Sequence, residues 1–97
     1  MNLHEIGRLH AIMNGRVQGV GFRYYVVEVA EVLGLSGWVR NTFDGNVEVV
    51  AEGALPDLEK LLSKIRSGPP SAFVTEVDQE WLPATGEYSG FSVGRTV

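Results

Sequence analysis

The chain has 97 residues, with eight Lys+Arg against twelve Asp+Glu and a net charge of −4. A length of this order predicts one domain over 1–97 with a modest core, and the acidic balance argues against a nucleic-acid surface built on counterion release. Cysteine is absent, which excludes disulfides, a thiolate nucleophile and a thiolate metal site.

The first ten residues, "MNLHEIGRLH", lack the uninterrupted apolar segment of a signal peptide. No apolar run approaches the roughly 20 residues that span a bilayer, so a cytoplasmic monomer with no membrane partner is expected. Met1 to Gly7 are expected to form a loose lead-in. Residues 8–13 predict a first strand with Leu9, Ala11 and Met13 on one face.

The stretch "NGRVQGVGFRYY" at 14–25 is a glycine-rich loop that runs into a helix. Phe22, Val26, Val29, Ala30 and Leu33 make one helical stripe, Glu28 and Glu31 lie on its polar side, and Gly34 supplies a stop. The spacing predicts a helix over 22–33. "LSGWVRNT" and "NVEVVAE" then predict a hairpin with Asp44-Gly45 at its turn. In the second of these strands Val47, Val49 and Ala51 share one face, and Glu48 and Glu52 share the other.

A second helix starts near Pro56 and carries Leu58, Leu61, Leu62 and Ile65 as its apolar stripe. "SGPPS" at 67–71 ends it, because proline cannot continue a helix and restricts the residue before it. Residues 72–82 predict a strand, and the odd step from Val74 to Val77 predicts a bulge within it. "LPATGEYSG" is a loop, and "FSVGR" a short closing strand. The order β-α-β-β-α-β fits an α+β, ferredoxin-like two-layer sandwich. Two helices, each with one apolar stripe, would cover one face of an antiparallel sheet of central order 4-1-3-2, with a short extra C-terminal strand.

The glycine loop matches neither of two common nucleotide motifs. It has no lysine for a Walker loop, and Tyr24 stands where a dinucleotide fingerprint needs glycine. An RNA-recognition signature would place its aromatics within a strand, whereas here they open a helix. Glycines do allow successive N–H groups to point inward, and a helix N-terminus favours an anion. Arg23 falls in that helix's first turn, where its charge opposes the dipole unless an anion bridges the two. The residues alone leave two readings open: an anion cradle, or a glycine turn beside a solvated arginine. Asn41, near a strand end before a turn, is a commonplace residue there. Arg16 and Arg40 suit surface or loop-bracing roles, with Arg40 on the face opposite Asn41. His4 and His10, six apart with no carboxylate cluster, make a poor metal site, and Trp38, Trp81, Tyr24 and Tyr25 are packing or partly exposed aromatics.

"GRVQGVGFR" at 15–23, "LGLSGWVRNTFDGNVEVVAEG" at 33–53 and "GPPSAFVTEV" at 68–77 resemble the acylphosphatase family in sequence, spacing and element order. The resemblance implies hydrolysis of a small-molecule acyl phosphate to a carboxylate and inorganic phosphate, without metal or cofactor. It assigns phosphate binding to Arg23 with the backbone amides of Gly15, Arg16, Val17, Gln18, Gly19, Val20, Gly21 and Phe22. It assigns orientation of the attacking water to Asn41. Inorganic phosphate would then be both product and inhibitor. A non-catalytic phosphate-binding module on the same fold is the alternative, but such a binder has no need of Asn41. The closing "FSVGRTV" departs from the family in Gly94, which interrupts the last strand.

Overall fold

A computed structural model describes residues 5–97. The elements run β1 (Ile6–Arg16), α1 (Phe22–Val32), β2 (Ser36–Asn41), β3 (Val47–Ala54), α2 (Leu55–Ser67), β4 (Phe73–Leu82) and β5 (Phe91–Val93). The sheet order is β4-β1-β3-β2-β5, which contains the expected 4-1-3-2. β5 adds to β2 in parallel, Gly37 opposite Phe91, so the sheet is mixed and not antiparallel throughout. Gly94, directly after β5, donates its N–H to Val39 O at 2.8 Å.

β1 exceeds its expected span of 8–13 at both ends. Ile6 and Gly7 pair with Ala54 and Gly53, so the loose lead-in does not extend over them; Met1 to His4 lie outside the described residues. At the other end Gly15 and Arg16, expected in the loop, still pair with Val74 and Phe73 on β4. The expected bulge is present: Asn14 pairs with Glu76 and Gly15 with Val74, leaving Thr75 as the extra residue of β4. Gly15 has φ 119°, and a Cβ there would run into Phe73 O and Thr75 N. Glycine at this position is a demand of the bulged ladder.

The core lies between the sheet and the helices. Leu9, Ala11 and Met13 of β1, Val39 of β2, and Val47, Val49 and Ala51 of β3 are fully buried. Phe22, Val26 and Ala30 of α1 meet them, as do Leu58, Leu61, Leu62 and Ile65 of α2. This is the alternation that sheet pleating and helical spacing require of a two-layer sandwich. α1 ends in a Schellman pair, Leu35 N to Ala30 O at 2.9 Å and Gly34 N to Glu31 O at 3.1 Å, with Gly34 at φ 70°.

The opposite face of the sheet carries charge. Arg40 donates to Glu48 at 2.9 Å and stacks 4.3 Å over the Trp38 ring. Glu48 also meets His10 Nε2 at 2.7 Å. Burial pulls the Glu48 carboxyl upward, but the bonds from His10 and Arg40 prevail and hold it below its ordinary value. Arg40 and Asn41 are thus on opposite faces, as alternation predicts.

Glu52 departs from the simple pattern of an outward glutamate, being only 4% exposed. The loop after β4 folds across it. Thr85 N and Gly86 N donate to its carboxylate at 2.9 and 3.0 Å, and Arg8 Nε does so at 2.6 Å.

Candidate active site

One end of the sheet collects the residues singled out in the sequence. Asn41 is the last residue of β2 and pairs with Val47, the first of β3, which pairs in turn with Met13 of β1. β1 runs three residues further, and the loop Val17–Gly21 then turns back into α1. Val17 and Phe22 are buried, 1% and 2% exposed, and pin both ends of the loop into the core. Between them Gly19 and Gly21 take φ 70° and 80°, and a Cβ on either would meet nothing within 4 Å. The backbone conformation alone asks for glycine at these two positions.

The loop amides are left without protein partners. Among the described residues, no N–H from Val17 to Gly21 donates to a protein acceptor; the first bond of the helix is Tyr25 N to Gly21 O at 3.1 Å. The first-turn amides of α1 add to this set, since no intrahelical carbonyl takes them up. α1 also has no acidic residue in its first turn and no side-chain cap. α2 is built the ordinary way, with Asp57 in the first turn and Lys64 and Arg66 in the last. The start of α1 is therefore an uncompensated positive end, and Arg23, in its first turn, adds a full charge. Arg23 is half-buried and makes no ion pair among the described residues.

Asn41 lies on the same face of β2 as Val39, the helix-covered face. Its Oδ1 is buried and receives no hydrogen bond. A buried acceptor without a donor costs about 1–3 kcal/mol, so Asn41 lowers the stability of the end of β2. Val97 comes close as well: its N–H reaches Asn41 O at 3.3 Å, and its O accepts from Phe43 N at 2.6 Å.

The sequence-derived residues divide by location. Val17, Gln18, Gly19, Val20, Gly21, Phe22, Arg23 and Asn41 gather at this end of the sheet. Gly15 and Arg16 belong to the end of β1, in ladder with β4. His10 is engaged with Glu48 on the far face, His4 lies outside the described residues, and no metal-ligand cluster occurs among those that are described. Gln18, expected to contribute only its backbone amide, also engages its side chain. It reaches across to the β2–β3 turn, and its partners are backbone carbonyls, which carry no sequence signal.

The acylphosphatase family model matches residues 9–93. An acylphosphatase of Trichormus variabilis is 49% identical over 93 residues, covering 96% of this chain and 91% of the relative. One from Methylococcus capsulatus is 48% identical over 90 residues, covering 93% and 98%. The crystal structure of acylphosphatase from Bacillus subtilis superposes with a TM-score of 0.88 at 36% identity, covering 93% of this chain and 99% of that one. The family match spans the glycine loop, both helices and all five strands but for the first three residues of β1, and the chain belongs to the acylphosphatase family.

Proposed function

We propose that this chain hydrolyses the carboxyl–phosphate anhydride of acyl phosphates, with Arg23 and the loop amides binding the phosphate and Asn41 holding the water. The observation that carries the assignment of roles is the buried, donorless Oδ1 of Asn41 beside a loop of unpaired amides. The side-chain amide of Asn41 hydrogen-bonds the water and orients its lone pair toward phosphorus. A neutral amide has no basic pKa, so Asn41 positions the nucleophile and does not deprotonate it.

The water oxygen forms a bond to phosphorus while the bond from phosphorus to the acyl oxygen breaks. The carboxylate leaves with the electron pair; one water proton stays on the new P–OH group and the other passes to a phosphoryl oxygen, giving dihydrogen phosphate. Phosphoryl transfer of this kind depends on positioning and on stabilising the equatorial oxygens. A guanidinium matches two of those oxygens, and preformed amides supply further donors without reorganisation. The carboxylate is a good leaving group, so the reaction needs no metal, cofactor or covalent intermediate. Inorganic phosphate occupies the same donors and inhibits as product. A cytoplasmic monomer fits this reading, and no helix of the described residues is long and apolar enough to cross a membrane.

The direct test is turnover of benzoyl phosphate by the purified chain beside Arg23→Ala and Asn41→Ala. Turnover in the parent that is lost in both variants supports the proposal. An inactive parent that still binds phosphate would mean a binding module instead.

A further inference from the structure

Among the described residues, one side chain hydrogen-bonds the middle of the loop to the β2–β3 hairpin. Gln18 Nε2 donates to Thr42 O at 2.7 Å and to Asn46 O at 2.8 Å. These carbonyls flank the β2–β3 turn, and Thr42 is the neighbour of Asn41. No other described hydrogen bond joins Val17–Gly21 to the hairpin.

The turn closes without this help. Thr42 N donates to Asn46 O at 2.9 Å and Gly45 N to Thr42 O at 3.1 Å, while Asn46 N reaches Thr42 Oγ1 at 3.1 Å. Gly45, at φ 94°, takes the left-handed position that three-residue hairpin loops use. Gln18 therefore adds attachment between two segments that are each already shaped. Its chemistry suits the task, since a primary amide offers two coplanar donors without charge. Both donors are used, on two carbonyls across one turn.

We infer that Gln18 is a positioning residue for hydrolysis, setting the phosphate loop in register with Asn41. The inference rests on the roles proposed above for Arg23 and Asn41. The loop amides hold the phosphoryl oxygens, and the hairpin holds the water that attacks phosphorus. Burial of Val17 and Phe22 fixes the ends of the loop, and the two bonds of Gln18 set its middle against the hairpin. A misplacement of about 1 Å between reacting groups costs up to about 10²-fold in rate. Loss of the clamp leaves the amides and Arg23 able to bind phosphate while the water and phosphorus fall out of line.

The test compares Gln18→Met, which keeps the side-chain length but donates nothing, and Gln18→Glu, with benzoyl phosphate as substrate and inorganic phosphate as inhibitor. Gln18→Met is expected to lower kcat by about 10- to 10²-fold, with KM and the phosphate inhibition constant little changed. In an Asn41→Ala background the same substitution should cost little more, because the residue it aligns is gone. Gln18→Glu presents a carboxylate to two carbonyls, yet its protonated form regains one donor. Its kcat relative to the parent should therefore rise as pH falls through that carboxyl's titration, an effect that a packing role alone would not produce.

Unchanged kcat in Gln18→Met overturns the inference, as does a parallel loss of phosphate affinity or an equal loss with and without Asn41. Should Gln18→Met fail to fold, the pH profile of Gln18→Glu decides, and a flat ratio to the parent counts against the clamp. An impaired Asn41→Ala beside a normal Gln18→Met removes only this inference, whereas a fully active Asn41→Ala removes the site assignment itself.

Discussion

Asn41 and Met13 occupy one row of the sheet, each directly opposite Val47 on β3. Met13 and Val47 are fully buried, so the core fixes the row and Asn41 inherits its place. A slip of one residue in the β2–β3 register would turn Asn41 to the charged face. The buried valines of both strands oppose such a slip, and the polar residue of the site is thereby located by apolar packing around it.

Asn41→Ala removes a buried acceptor that has no protein donor. We expect kcat to fall by at least about 10²-fold, the scale of losing one preorganised polar group, with KM little changed. Thermal stability should stay level or rise, because an unpaired buried polar atom is lost. Steady-state kinetics and a thermal melt on the same preparation check both. A change in KM alone would make Asn41 a substrate binder.

Arg23→Ala should leave almost no activity, with kcat/KM lower by at least about 10²-fold and inhibition by inorganic phosphate clearly weakened. Since Arg23 makes no ion pair among the described residues and opposes the dipole of α1, stability should not suffer. Full phosphate affinity in this variant would refute the cradle.

Treatment with a chelator should leave turnover unchanged, because the proposed chemistry draws its positive charge from Arg23 and amides. Activity lost to chelation and regained with a divalent cation would show that a metal takes part.

Gly15 and Gly19 should respond differently to alanine. At Gly15 a Cβ meets backbone of Phe73 and Thr75, so Gly15→Ala should cost about 3 kcal/mol or more, combining overpacking with left-handed strain. At Gly19 no atom is near, and Gly19→Ala should cost only about 1–2 kcal/mol for its positive φ. Urea denaturation of the two variants measures the difference.

Glu52 predicts an acid-sensitive component of stability. Burial raises its carboxyl, but the N–H groups of Thr85 and Gly86 and the Arg8 guanidinium outweigh burial and lower it to about 2 from an ordinary 4.5. A depressed folded value stabilises above the unfolded one and loses that stability as pH falls. The loss should develop between about 4.5 and 2. Glu52→Gln should be less stable at neutral pH by about 2 kcal/mol, the scale of a hydrogen bond to a charge, and less sensitive to acid in that window. Parallel stability curves for parent and variant would exclude this role.

Much of this arrangement was legible in the sequence where one segment carried its own signal. The stripe from Phe22 to Leu33 and the leucines of α2 follow from helical period, and the hairpin turn from the Asp44-Gly45 pair. The step from Val74 to Val77 announced the bulge at Thr75. What escaped depends on segments far apart in the chain. Gly15 and Arg16 look like loop, because a glycine beside a charged residue has no pleat to display, and only β4 makes them strand. Glu52 alternates like a solvent-facing residue until the 83–90 loop folds over it. The Gln18 clamp was invisible because its acceptors are main-chain atoms.

The placement of β1 between β3 and β4 also governs how the chain reaches this structure. β1 meets β4 through pairs such as Arg8 with Leu82 and Arg16 with Phe73, so more than half the chain separates the partners. Closing so large a loop costs entropy before any contact returns it, which places the chain among slow-folding topologies. During synthesis the glycine loop, α1 and the β2–β3 hairpin all emerge before β4 exists. Through that interval β1 has one open edge, and the nascent chain is exposed to strand-to-strand association until its fourth strand arrives.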